Sequence, residues 1–245
     1  MRTLFSFLLI VTALAFSTHI QAADEAPQKK LKLAVLTGGH GFDRKGFFAM
    51  FDAFKDIEYK EFALGKDSTI FDDISKWDFD AMLMYNLNNI TDPQKENLLK
   101  LLDKGIGLVV MHHAVGNYQT WTEYPKIAGC VYALKKMEID GQTYASTWKE
   151  GVDIPIHVEG ATHAITKGIA DFKVHDEVYG KCYFAPDNKY LLTTDQPLTD
   201  GKLAWTRKYR SSNVFGTILG HGSTIFTDKS FTQILHNGIF WTVAK

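Results

Sequence analysis

The chain is poor in several features that would each have pointed to a function. It has two cysteines, Cys130 and Cys182, in 245 residues, too few for a disulfide-stapled scaffold. It has no surplus of either charge: 27 basic residues against 28 acidic ones leave a formal net charge of −1, and the Lys and Arg residues are scattered. No nucleic-acid partner is expected, because that needs a basic patch or stripe. There is no low-complexity tract, no internal repeat and no HExxH zinc motif. Long apolar runs are missing except at the amino terminus. There Arg2 precedes an apolar stretch from Leu4 to Phe16 and small residues at Ala22 and Ala23, the layout of a secretory signal peptide. The stretch is shorter than the ~20 residues of a membrane span. Cleavage near Ala22 is therefore expected, with no stable membrane insertion afterwards and a secreted or periplasmic mature protein. Loss of Arg2 without any acidic residue takes the formal charge from −1 to −2. Residues 23–30 then form a short leader, and 31–245 read as one domain. In an exported chain the two cysteines are free to pair. Their isolation favours two buried thiols, and neither has the surroundings of a catalytic cysteine.

What is present is an alternation of strand and helix patterns. "KLKLAVLTG" (30–38) is an apolar run ending in glycine, and "RKGFFAMFDAFK" (44–55) has helical spacing. "IEYKEF" (57–62) alternates, and "DFDAMLMYN" (78–86) is a second apolar strand. "TDPQKENLLKLLDKG" (91–105) carries Thr91 as N-cap, Gln94 as its capping-box partner, Pro93 in the first turn and Gly105 as terminator. "IGLVVMH" follows as a strand. This order predicts an α/β fold: an open, mostly parallel sheet with helices on both faces, glutamine amidotransferase-like or flavodoxin-like. The second half is richer in strands, and "KSFTQILHNGIFWTVAK" (229–245) closes the chain as an amphipathic helix.

Ligands in open α/β sheets sit beyond the carboxyl ends of the strands. His40 follows "LAVLTGG", Asn86 follows "AMLMY", His112 and His113 follow "GLVVM", and His221 follows "NVFGTILG". Any one of these histidines is ordinarily structural. Four strand ends carrying ligand-capable groups make a candidate site.

The segments "TGGHGFD", "GLVVMHHAVGNYQTWTEYPKIAG", "THAITKGIADFKVHDEVYG", "LAWTRKY" and "NVFGTILGH" occur in this order. With them the sequence resembles the ThuA-like (trehalose-utilisation) family, whose fold is similar to class I glutamine amidotransferases. The resemblance spans about residues 31–244. It places motif residues on His40, His112, His163, Asp176, Glu177, Tyr179 and His221, with His113 as the second histidine of a double-His version. Trp205 and Tyr209 match an "A-W-T-x-x-Y" strand. The chain departs from the pattern at "RSSN" (210–213), where glycines are usual, and at "YALKK" (132–136), where a His-Pro is common. Where an amidotransferase presents a cysteine, this chain has His112 and His113, so the resemblance implies no thiol chemistry. It implies a small-molecule carbohydrate substrate, such as a disaccharide or glycoside derivative, including a 3-keto sugar.

Histidine at that turn offers proton transfer near neutral pH or metal ligation. The catalytic candidates are His112, His113, Glu177, His221 and His40. Adjacent residues of an extended segment point to opposite faces. One of Asp176 and Glu177 is therefore expected in the site, with Glu177 preferred, and one of His112 and His113, with His112 preferred. Asn86, His163, Asp176, Tyr179, Trp121 and Trp205 are candidate substrate contacts, with Tyr118 and Tyr209 flanking the same mouth. The structural alternatives are a loop hydrogen bond for His163 and core packing for the aromatic rings. His40, His112 or His113, Glu177 and His221 form a mixed N/O set suited to zinc or another divalent ion. The alternative is metal-free acid–base chemistry, with His112 or His113 as base and Glu177 as its orienter or as acid. Two functions follow: an enzyme that eliminates or hydrolyses a glycosidic bond, and a non-catalytic sugar-binding module on the same fold.

Overall fold

The computed structural model describes residues 29–65 and 69–244. The expected signal peptide (1–22) and most of the expected leader (23–30) lie outside the described residues. The first half alternates: β1 (Leu31–Thr37), α1 (Arg44–Ala53), β2 (Ile57–Ala63), β3 (Ala81–Met84), α2 (Asp92–Asp103) and β4 (Gly107–Met111). A 3₁₀ turn, His112–Gly116, follows β4. The second half runs α3 (Tyr124–Ala128), β5 (Cys130–Val131), β6 (Met137–Ile139), β7 (Gln142–Tyr144), β8 (Thr147–Val158), β9 (Phe172–Gly180), β10 (Tyr183–Phe184), β11 (Lys189–Thr193), β12 (Lys202–Tyr209), β13 (Ser212–Thr217) and α4 (Lys229–Val243). Helix α2 starts at the expected capping box: Thr91 Oγ accepts from the Gln94 amide, and the Gln94 side chain accepts from the Thr91 amide. Among the described residues, no helix is long and apolar enough to cross a membrane.

Nine strands form one sheet in the order β2-β1-β3-β4-β13-β12-β11-β8-β9. From β2 to β13 every pairing is parallel. From β13 to β9 every pairing is antiparallel. The sheet is thus the expected α/β one with an antiparallel second half. The "RSSN" departure falls on the tight β12–β13 hairpin, where Arg210 has φ 54.

Helices cover both faces. A Cβ at Gly238 of α4 would meet the Phe215 ring at 2.4 Å, so Phe215 points to α4. Its neighbour Gly216 points the other way, where the Trp205 indole fills the space and donates to the Ala128 carbonyl of α3 at 2.9 Å. All five residues of β4 are buried, as a central strand covered on both sides requires.

The parallel strands β1, β3, β4 and β13 are direct neighbours. Their carboxyl ends therefore put His40, Asn86, His112 and His221 along one edge. Strand β9 lies at the far end of the sheet, yet its Glu177 touches His112 at 3.0 Å. Strand β8 makes this possible. It pairs with β11 over only two positions, 157 and 158, and continues with β9 as a separate ribbon. That ribbon brings the second half of β9 back over the ends of β4 and β13.

Candidate functional site

The site begins with the backbone of His112. Directly after β4 the residue takes φ 48, in the left-handed region that side chains with a Cβ seldom occupy. The turn directs the imidazole beneath β9, where it is fully buried. His112 Nδ1 donates to the Ile218 carbonyl at 2.6 Å, which fixes the ring and leaves Nε2 facing the site. Around Nε2 stand Glu177 Oε2 at 3.0 Å, the Tyr179 hydroxyl at 3.0 Å and His221 Nδ1 at 3.2 Å.

Alternation along β9 sends Glu177 and Asp176 to opposite sides. Asp176 accepts from the amides of Gly220, His221 and Gly222 at 2.7, 3.0 and 3.2 Å. Gly220, at φ 125, permits the turn that fans these amides onto one carboxylate. The Gly220 carbonyl also accepts from the buried Tyr85 hydroxyl at 2.8 Å. Asp176 thus holds the loop that carries His221. A bulge in β8 lies opposite Glu177: Lys149 pairs with Val178 and Val152 with Asp176, so β8 has one extra residue, with Gly151 at φ 66. The bulge carries Glu150, whose Oε1 is 3.4 Å from His221 Nε2.

A cavity of about 240 Å³ opens above these groups, lined by His40, Leu87, His113, Gly116, Tyr132, Leu134, Trp148, Glu177 and Tyr179. The orientation expected for the double histidine is reversed. His113 lines the cavity and His112 lies buried below it, because the left-handed turn spends His112 on the Ile218 carbonyl and β9. His113 stacks on His40 with ring centroids 3.3 Å apart. Both ring nitrogens of His40 face carbonyl oxygens, Gly41 at 2.8 Å and Tyr85 at 3.0 Å, so a neutral ring satisfies only one of them.

Electrostatics sort these groups. Burial, followed by the positive ends of His112, His40 and His221, drives the His113 pKa far below the ordinary range, so the ring is neutral. Burial also lowers the His40 pKa. Burial opposes ionisation of Glu177, but the hydrogen bond and charge of His112, with His221, bring its pKa below the usual value. Burial and the neighbouring Glu177 carboxylate hold the Tyr179 hydroxyl protonated well above its normal range. The floor of the cavity therefore carries a carboxylate, a neutral imidazole and a phenolic donor.

The sequence pattern of the ThuA family, described as trehalose utilisation, matches residues 16–242. The chain belongs to the ThuA family. Solved structures, two of them of ThuA-like proteins, share the fold. One from Parabacteroides merdae superposes with a TM-score of 0.73 at 16% identity over 88% of this chain and 91% of its own. One from Bacteroides uniformis gives 0.67 at 19% identity over 92% and 96%. A cytoplasmic protein from Salmonella typhimurium gives 0.55 at 12% identity over 86% and 99%. No curated protein sequence matches the chain.

Not every residue singled out from this ThuA sequence enters the cavity. Trp205 is fully buried against Gly216 and α3, so it is a core residue out of reach of a ligand. Trp121 stacks on Tyr124 and lines a separate cavity of about 430 Å³ with Tyr118 and Met137. Tyr209 donates to Glu123 at 2.8 Å. His163 caps its own loop, with Nδ1 accepting from the Ile165 amide at 3.2 Å, and its ring lies against Trp241. Asn86 is buried and donates to Asn88 and Asn117. Asp176 positions the backbone and does not line the cavity. Conversely, Tyr132, Trp148 and Glu150 reach the site without a sequence signal, because a bulged ribbon and a loop deliver them. Trp148, 59% exposed, lines the cavity, whereas Trp205 does not. Cys130 and Cys182 are free, buried thiols, and burial with the adjacent Cys182 raises the Cys130 pKa well above normal. Neither lines the cavity.

Proposed function

We propose that this ThuA-family protein is an exported enzyme of carbohydrate catabolism that acts on a disaccharide or glycoside derivative in the cavity over His112 and Glu177. Family membership supports the carbohydrate class, and the layout of residues 1–23 supports export. N-terminal sequencing of mature protein from the native host is expected to begin at or near Ala23, and an intact Met1 would refute export. The observation that carries the enzymatic reading is the junction at His112 Nε2, within 3.0 Å of both a carboxylate oxygen of Glu177 and the Tyr179 hydroxyl. Such a junction sets a proton acceptor, the Glu177 carboxylate, beside a proton donor, the Tyr179 hydroxyl, as acid–base chemistry requires.

A 3-keto sugar suits that arrangement. The carbonyl acidifies the C–H beside it. A base takes that proton, the electrons form a carbon–carbon double bond to the anomeric carbon, and the bond to the glycosidic oxygen breaks. The departing oxygen takes up a proton, and water then adds across the double bond. The sequence of steps needs a base, an acid and a partner for the developing oxyanion, and no thiol. Direct hydrolysis by two carboxylates fits less well, because the adjacent Asp176 is bound to three backbone amides.

The test is a screen of the purified protein against disaccharides and their 3-keto forms. Turnover is expected, and Tyr179→Phe and Glu177→Gln are expected to lower kcat by ~10²–10⁴ while leaving binding largely intact. A wild-type protein that binds sugars and converts none is a binding module, and the enzymatic reading then fails.

A further inference from the structure

The atoms below the cavity are spaced as ligands. His112 Nε2, Glu177 Oε2 and His221 Nδ1 form a triangle with edges of 3.0, 3.2 and 3.3 Å. Donors ~2.0–2.1 Å from a tetrahedral ion stand ~3.3 Å from one another. The triangle therefore approximates one face of such a tetrahedron.

The outward nitrogens of both rings are already engaged. His112 Nδ1 donates to the Ile218 carbonyl at 2.6 Å, and His221 Nε2 lies 3.4 Å from Glu150 Oε1. Metal-bound histidines are held in this way, with the outer N–H on a carbonyl or carboxylate and the inner lone pair on the ion. With both outer protons in place, three electron-rich atoms face each other across the triangle, a cluster that a cation relieves. His113 is the fourth member: one ligand atom from each of the four residues lies within 4.8 Å of the others. Its Nδ1 is buried and has no hydrogen-bond partner. That limit of 4.8 Å exceeds the tetrahedral spacing, so an ion held by all four residues requires His113 to approach the other three.

We propose that His112, His113, Glu177 and His221 bind one divalent transition-metal ion of the zinc type. Three imidazoles and one carboxylate form neither the sulfur-rich set that selects Cu(I) nor the all-oxygen set that suits Mg²⁺ and Ca²⁺. The inference concerns the same pocket as the proposed reaction but does not depend on it, because binding is read with no substrate present.

Chelator-treated protein titrated with Co²⁺ alone, followed by visible absorption, tests it. One equivalent per chain is expected, displaced by Zn²⁺ and accompanied by a rise in Tm. His221→Ala and Glu177→Gln, a half-exposed loop residue and an isosteric change, are expected to weaken Co²⁺ binding by more than ~100-fold. Glu150→Gln, which removes only the outer partner, is expected to weaken it by ~10–100-fold. His157→Ala removes a surface ring set between Asp171 and Asp195 at 3.2 and 3.1 Å and is expected to change nothing. Absence of saturable binding at one equivalent overturns the proposal, as does binding that the His157 variant abolishes or that both inner variants leave intact. If an inner variant fails to fold, the wild-type stoichiometry and Tm shift still decide. A metal-binding protein without turnover leaves this inference standing and removes the proposed reaction, and a protein that turns over substrate yet binds no Co²⁺ does the reverse.

Discussion

At the residue scale, the two members of each adjacent pair do different work. Glu177 borders the cavity, whereas Asp176 gathers three amides. Asp176→Ala leaves those N–H groups without their charged acceptor. It is expected to lower stability by ~1–3 kcal/mol, and to lower kcat as well, since the His221 loop loses its anchor. Chemical denaturation and steady-state rates check the two effects separately. A variant with lower stability and unchanged kcat would show that His221 has no part in turnover. The thiols make the opposite case. Cys130→Ser and Cys182→Ser are expected to keep wild-type rates wherever they fold, because both groups are buried away from the cavity and burial disfavours the thiolate of Cys130. Loss of turnover with retained folding in either variant would restore thiol chemistry as a candidate.

At the element scale, the decisive device is the β8–β9 ribbon. The alternation of Asp176 and Glu177 was legible in "VHDEVYG". The extra residue in β8 was not, because Gly151 in "WKEGVDI" reads as an ordinary glycine until the register with β9 is known. Gly151→Val at φ 66 is expected to cost ~1–2 kcal/mol of backbone strain and to displace Glu150 and Glu177. Gly160→Val, at a similar φ of 63 but in open space away from the cavity, is the matched control. Both variants are expected to lose stability in thermal melts, and only the first to lose activity. Equal retention of kcat in the two would mean that the bulge does not position the site.

At the scale of the whole molecule, both halves of the mixed sheet converge on the cavity. Its parallel half supplies His40, His112, His113 and His221 from neighbouring strand ends, and its antiparallel half returns Glu177 and Tyr179 over them. Trp205, at the centre of the antiparallel half, joins that half to α3. Trp205→Ala is expected to destabilise by ~3–5 kcal/mol and to leave sugar affinity of the folded fraction unchanged. Trp148→Ala should weaken affinity instead with little change in stability, since its ring is mostly exposed at the cavity rim. Calorimetric binding and thermal melts distinguish the two. A Trp205 variant that folds normally but binds sugar poorly would reinstate that ring as a ligand contact.

The sequence by itself determined the α/β alternation, the capping box of α2, the strand-end positions of His40, Asn86, His112 and His221, and the family. Each of these follows from local periodicity or from a motif a few residues long. The tertiary structure decided which of His112 and His113 lines the cavity, through a left-handed turn that bonds His112 to a carbonyl 106 residues away. It also consigned Trp205 to the core and Trp121 to another cavity, and brought Glu177 from the farthest strand onto His112. Those outcomes depend on pairing between distant segments and on the curl of one ribbon, and no window of sequence contains both partners.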